Sequence, residues 1–377
     1  MNILTVSIAY PSIINEVNGI FVKDTVKCVS KFNNMIVLAC TIIENESKIK
    51  ASIYETEEDG IRVIRVFIKK TFLPEMILST IGIFKGLKYI KKMQKKIDIV
   101  HAHFFASAIP FLVLMKDKPL IISEYSSVFT FGQLSRIAIF IAKRVMKKSK
   151  VVLVGSEFLT NNIKSFGINA NFKKCLHPVD TSLFYHVNKN PSQKIRILLV
   201  SRLVKVKKIS ILIHALGLVK KSRTDFYLDI IGDGPDAQEY FEEVNLLGLK
   251  EFIKFHGYQE KNIILKFLQE CDFFVLPSTT ENQPVVLNEA MCCGKPVLVT
   301  RGGGNPEVVN SKVGMLIEPD NIESLKEGLL TMMDNYQKFN SSVIEKYGNE
   351  NYSYEVVGKK LENLYTEIIN KMRWSEG

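Results

Sequence analysis

No C-x-x-C pair occurs among the six cysteines, no Asp-x-Asp pair is present, and no apolar run is long enough to cross a bilayer. Each absence excludes something. Cys28, Cys40, Cys175, Cys271, Cys292 and Cys293 fall mostly inside apolar runs, where a thiol behaves as a small buried hydrophobe, so a disulfide scaffold and a Cys-based metal site are not expected and a reducing cytoplasm fits. The longest uncharged apolar stretch, FFASAIPFLVLM from Phe104 to Met115, is too short to span a membrane and contains Pro110. The opening MNILTVSIAYPSIINE lacks a positive n-region and a small-residue cleavage site, and reads as a strand and loop rather than a signal peptide. Repeats of fixed period and low-complexity segments are also missing.

The 377 residues, 46% hydrophobic and 24% charged, have an ordinary globular composition and are too many for one core. The net charge of +11 is lopsided. Residues 1–180 hold 26 Lys and Arg against 14 Asp and Glu, a net +12, while residues 181–377 are close to neutral. Short Val/Ile/Leu-rich runs recur with amphipathic stretches between them. In the first half they are NILTVSIA, MIVLACTI, IRVIRVFI, DIVHAHF, PLIISE and KVVLVGS, and in the second IRILLVS, FYLDIIG, FIKFHG, DFFVLPS, KPVLVT and VGMLI. Strands apolar on both faces with helices between them predict doubly wound parallel sheets. Two series predict two Rossmann-like α/β domains, 1–185 and 186–353, joined near FYHVNKNPSQK, with a helix over 354–377 returning to the first. Ligands of such sheets lie beyond the carboxyl ends of the strands.

One of those strand ends reads ENQPVVLNEAMCCGKPVLVTRGGGNPEVV. Pro284 suits the first turn of a helix that ends at Gly294, which leaves Glu281 in the loop before it and Glu289 on its second turn. The helix start offers N–H groups and partial positive charge to a phosphate, and carboxylates accept from hydroxyls. The combination suggests a ligand carrying phosphate and sugar. Either carboxylate alone reads equally as a solvated or helix-capping Glu. A second strand end, ILLVSRLVKVKKISILIHAL, places Arg202 and Lys207 five apart, a fork and a point charge suited to a diphosphate. A basic turn by itself more often just faces water.

Together these stretches resemble the retaining glycosyltransferases of family 4, over nearly the whole chain. SRLVKVKK is similar to the family's G-R-L-x-x-x-K-G, with Ser201 and Lys208 in place of the glycines. PSTTENQPVVLNEAMCCGKPVLVT is similar to its E-x7-E signature and the framing that follows. LHPVDTSLF resembles its linker entry, and NEVNGIFVKD its first glycine loop. The resemblance implies the GT-B fold, two Rossmann-like domains facing each other across a cleft. It implies a hexose moved from a nucleotide diphosphate sugar, UDP-linked, to a hydroxyl acceptor with retention. A lipid-linked glycan of bacterial cell-surface polysaccharide synthesis is the acceptor class it suggests, with no metal, no other cofactor and no nucleic acid. Glu281 would then hold donor-sugar hydroxyls and Glu289 the ribose. Arg202, Lys207 and the backbone at Val285 and Val286 would hold the diphosphate, and Gly19 would let the opposing loop approach it. His103 would contact the sugar, while Gly232 and Tyr258 suit the base pocket. Where the family often has a histidine this chain reads SEYSSV.

His101 and His103, two apart on a strand, point to one face, so a metal pair and a structural pair stay open beside sugar contact. A sugar-nucleotide epimerase would share the fold but needs further acid and base groups. A non-catalytic partner subunit would not need Arg202, Lys207, Glu281 and Glu289 together. Finally, GIFKGLKYIKKMQKKI reads as a helix from Gly82 to Ile97 with lysines on one broad face, a candidate contact with the anionic inner face of a membrane, set against a plain solvated surface helix.

Overall fold

The computed structural model describes residues 1–189 and 192–376. The chain forms two compact units: Met1–Pro178 with the C-terminal segment from Tyr354, and Val179–Ser353.

The first unit holds an eight-stranded sheet of β1 (Asn2–Ser7), β2 (Asn34–Ile43), β3 (Ile53–Glu58), β4 (Ile61–Lys69), β5 (Ile99–His103), β6 (Leu120–Glu124), β7 (Val151–Val154) and β8 (Phe172–Lys174). Their order is β3-β4-β2-β1-β5-β6-β7-β8. All neighbours run parallel, as expected of a doubly wound sheet, except β3, which returns antiparallel on β4 at the edge. β3 reads IYETEE and is largely exposed. Its acidic side chains meet Arg62 and Arg65 of β4, and a charged edge of this kind discourages further strand pairing.

Helices α1 (Ile20–Ser30), α2 (Glu75–Lys92), α3 (Arg136–Lys148) and α4 (Glu157–Ser165) cover this sheet, with a 3-10 segment at Phe105–Leu112 in the run of apolar residues before β6. α2 begins earlier than the sequence suggests and stops at Lys92, so Lys95 and Lys96 lie beyond it. The face under α2, α3 and the 3-10 segment is one apolar core containing Leu87, Ile90, Phe111 and Val145. The other face carries a second core, in which Val26 and Val29 of α1 meet Val357, Leu361 and Tyr365.

The second unit is a six-stranded, all-parallel sheet of β9 (Ile195–Val200), β10 (Phe226–Ile231), β11 (Ile253–Phe255), β12 (Phe273–Leu276), β13 (Val297–Thr300) and β14 (Gly314–Ile317), ordered β11-β10-β9-β12-β13-β14. Six helices accompany it: α5 (Ile209–Val219), α6 (Ala237–Leu246), α7 (Lys261–Glu270), α8 (Val285–Cys292), α9 (Ile322–Asn335) and α10 (Ser341–Tyr352). The last helix, α11 (Tyr354–Glu376), belongs to the first unit, where it packs on α1.

The division falls after Pro178 rather than near residue 185. Val179 bridges to Ser353 and Phe184 is fully buried, so the segment that looks like the start of a linker is part of the second unit. Both sheets reverse direction of winding at an internal point, between β1 and β5 in the first and between β9 and β12 in the second. Crevices for ligands open beyond the carboxyl ends of the strands at such points.

Candidate active site

In the second unit the predicted cation loop follows β9 and the predicted carboxylate loop follows β12, one on each side of the switch point. The loops are stitched together where the Thr279 N–H donates to the Val206 carbonyl at 3.1 Å. Lys207 Nζ donates to Glu281 Oε1 at 2.5 Å, and both side chains are largely covered. Two residues separated by 74 positions are thus one ion pair. Arg202 sits in the same strand-end loop, exposed and with no ion pair among the described residues. Lys208, where the family pattern has glycine, adopts φ 53° and pairs with Asp320 at 2.7 Å.

The glycine run after β13 has a structural purpose. Glu281 and Gly303 form a bridge, and the Gly304 N–H donates to the Glu281 carbonyl at 2.7 Å. At Gly303 φ is 70°, and a Cβ would lie 2.0 Å from that carbonyl oxygen, so only glycine can hold the backbone of Glu281 this way. Pro284 caps α8 at its start, and Gly294 follows its end with φ 69°. Val285 and Val286 therefore occupy the first turn, whose N–H groups have no partners within the helix. Glu289 is buried on the next turn, 3.9 Å from Lys261 Nζ. The hydroxyls of Ser278 and Thr280 are buried beside this loop without hydrogen-bond partners among the described residues. Sequence reasoning missed them, although a Ser-Thr-Thr run directly after a strand was the available signal.

The loops holding Gly232 and Tyr258 are adjacent: the Gly232 N–H donates to the Gly257 carbonyl at 2.8 Å. Gly232 also lies against Ser201, where a Cβ would meet the carbonyl oxygen at 1.8 Å. Tyr258 is exposed.

His103 and Gly19 belong to the first unit. His103 is the last residue of β5, in register with Ser7 of β1 at the switch point. It is fully buried. Its ring stacks between His101, with centroids 4.5 Å apart, and Tyr125, and Nδ1 lies 3.1 Å from the Tyr125 hydroxyl. Its Nε2 has no hydrogen-bond partner among the described residues. Burial, with His101 and His177 close by, holds the imidazole well below its ordinary pKa, so the ring is neutral.

His101 has both ring nitrogens engaged, at 2.7 Å to Tyr365 Oη and to Ser123 Oγ, which makes it a structural ring. Among the described residues no group of three His, Cys, Asp or Glu is placed to hold a metal ion. Phe104, directly after His103, is held at φ 69° and ψ 142°, a backbone region nearly confined to glycine, and such strain collects at functional sites. Gly19 caps α1 at φ 76°, where a Cβ would come 2.2 Å from the Ala9 carbonyl oxygen.

Sequence reasoning missed the ring cluster around His103. Tyr125 stands in SEYSSV and stacks on His177 with centroids 4.9 Å apart. Glu124, next to it, is buried and accepts from the backbone N–H groups of Phe105, Tyr125 and Ser126, which fixes this strand end. A hollow of about 780 Å³ elsewhere in the first unit, lined by Pro11, Tyr54, Arg65 and Phe67 among others, includes none of the predicted site residues.

Comparison with known proteins adds the following. Residues 184–350 match the family described as "Glycosyl transferases group 1" and residues 44–183 match "Glycosyltransferase Family 4". An uncharacterized glycosyltransferase of Methanocaldococcus jannaschii is 26% identical over 308 residues, covering 76% of this chain and 82% of that protein. A Campylobacter jejuni enzyme, N-acetylgalactosamine-N,N'-diacetylbacillosaminyl-diphospho-undecaprenol 4-alpha-N-acetylgalactosaminyltransferase, is 33% identical over 140 residues, 37% of each chain. Anabaena HepE, solved in complex with UDP-glucose, shares the fold with a TM-score of 0.71 at 18% identity, covering 97% of this chain and all of that one.

Proposed function

Because the chain belongs to glycosyltransferase family 4, a family of GT-B enzymes, we propose that it moves a hexose from a UDP-sugar to a hydroxyl of a lipid-linked glycan, with retention of anomeric configuration, in bacterial cell-surface polysaccharide synthesis. The observation that carries this reading is the Lys207–Glu281 pair at the switch point of the second sheet, with Arg202 in the same strand-end loop and in no ion pair among the described residues. UDP-glucose in HepE supports the donor class, and the undecaprenol-linked substrate in the name of the Campylobacter enzyme supports the acceptor class.

The chemistry follows from charge. Breaking the bond between the sugar and the diphosphate places negative charge on the departing phosphate. Arg202, Lys207 and the first-turn N–H groups of α8 are fixed donors that meet this charge without reorganising, which is where such sites gain most. Lys207 is held by Glu281 before the donor arrives and is shared with the diphosphate afterwards. Glu281 then has acceptor capacity for sugar hydroxyls, and Glu289 takes the ribose. His103, neutral at working pH, offers Nε2 to a sugar hydroxyl and does not act as a cation. The bound phosphate itself takes the acceptor proton.

The test is a panel of nucleotide sugars against the purified protein, read by thermal shift, followed by NMR of the product made with the stabilising donor. Stabilisation by a UDP-sugar and retention in the product support the reading. Stabilisation only by another nucleotide would replace the donor, and an inverted linkage would remove the mechanism.

A further inference from the structure

Helix α3, RIAIFIAKRVMKK, contains five cations and no acid. Ser135 caps it, accepting from the Ala138 N–H, and its inner side puts Ala138, Ala142, Val145 and Met146 into the core. Its outer side is not what a merely solvated helix would carry. Ile137 is 70% exposed and Phe140 56% exposed. With Arg144 and Lys147 they follow the three- and four-residue spacing of one helical stripe. The Arg144 guanidinium lies over the Phe140 ring at 4.7 Å, and Arg136, Lys143, Arg144 and Lys147 form no ion pairs among the described residues. Exposed bulky apolar side chains ringed by unneutralised cations mark a surface that meets something apolar and anionic at once.

We propose that α3 docks the first unit on an anionic lipid bilayer. Ile137 and Phe140 enter the interface, and Arg136, Lys143, Arg144 and Lys147 hold the headgroups. This rests on the lipid-linked acceptor proposed above only for its setting. The surface itself is argued from exposure and charge. A soluble polyanion would be met by the cations alone and gives no reason for the protruding Ile and Phe. The sequence draws attention to the lysines of α2; Ile83, Leu87 and Ile90 of that helix are in the core, as a contact through the lysines alone requires, and Ile77 and Ile81 of α2 are 42% and 38% exposed, less than Ile137 and Phe140. α2 and α3 both pack on the 3-10 segment and on the same core, so Lys85 and Lys88 add charge to this layer, while α3 presents the more exposed apolar pair.

The experiment is sedimentation of the full chain with phosphatidylglycerol-containing vesicles and with pure phosphatidylcholine vesicles, at low and high salt. Wild type should bind the anionic vesicles and be largely released by salt. The variant I137S/F140S should partition about tenfold more weakly at either salt. The variant K143E/R144E/K147E should lose at least about a hundredfold at low salt. The five substituted positions lie on α3 and in none of the candidate-site loops, so calorimetric binding of UDP to the same variants should be unchanged. Unaltered sedimentation of both α3 variants, or equal wild-type binding to the two vesicle types, would overturn the proposal. So would a wild-type dimer that I137S/F140S converts to a monomer, since the stripe would then be a contact between copies. Failure of wild type to bind UDP would count against the donor reading and leave the docking result standing.

Discussion

Removing Lys207 should separate stability from catalysis at one position. The Lys207 and Glu281 side chains are 22% and 10% exposed. Lys207→Ala would leave the more buried partner, a carboxylate whose backbone is held by the Gly303–Gly304 turn, without its cation. Stripping one partner from a fully buried pair costs about 3–5 kcal/mol, whereas an exposed pair is worth about 1 kcal/mol or less. A pair covered to this degree lies between them, at about 2 kcal/mol. For a unit of this size that lowers Tm by about 4–8 °C. The double variant K207A/E281Q removes the stranded charge and should recover most of the loss. Turnover behaves differently: losing a preorganised donor to the leaving group costs about 3 kcal/mol, a hundredfold or more, and the double variant should recover none of it. Scanning calorimetry and steady-state kinetics on both variants are sufficient. A double variant no more stable than K207A, or near-normal turnover in K207A, would refute the reasoning.

Arg202 forms no ion pair among the described residues, so Arg202→Ala should leave Tm within about 1 °C while turnover falls about a hundredfold; a large Tm change would show a structural role instead. Glu281→Gln should damage transfer more than binding of free UDP, and Glu289→Gln should weaken UDP binding itself, a division that equal calorimetric losses would disprove. Activity should survive EDTA, and loss reversed by a divalent ion would contradict metal-independent transfer. Burial holds His101 at about 3 and His177 at about 4, with His103 also well below 6.5, so all three rings stay neutral when folded but take up protons when unfolded below that pH. The stability they contribute is therefore complete above pH 6.5 and drains away as pH falls towards the folded values, by up to about 1.4 kcal/mol per pH unit for each ring. Urea unfolding between pH 7.5 and 4.5 should show this decline, and a flat profile would exclude it.

Most of the parallel strands were legible because they are near-continuous apolar runs, as in β12 and β13, whose residues are all buried. β3 was not, since its polar, glutamate-rich sequence is that of an exposed edge, and neither was β8, which is only three residues long. The cation and carboxylate loops could be picked out by spacing within each stretch. Their meeting across 74 residues is a product of strand order, as is the stacking of His103 on Tyr125. Nothing local to VHAHF indicates that Tyr365 will supply the partner of His101 from 264 positions away. The boundary was misplaced because Val179 and Phe184 are apolar residues in an otherwise polar passage, and only their burial shows which unit they join.

Helix α11 gives the first unit a consequence in time. Tyr365 bonds His101, the Tyr354 hydroxyl donates to Asp24 at 2.7 Å, and Val357 and Leu361 complete the core against α1. Tyr354, Val357, Leu361 and Tyr365 are all translated after the whole of Val179–Ser353. During synthesis the unit that begins first must wait, with one face of its sheet uncovered, while the later unit can close on itself as soon as it has left the ribosome. The order of maturation is thus the reverse of the order of translation. A nonsense codon or proteolytic cut just after Ser353 would spare the second unit and leave the first to chaperones.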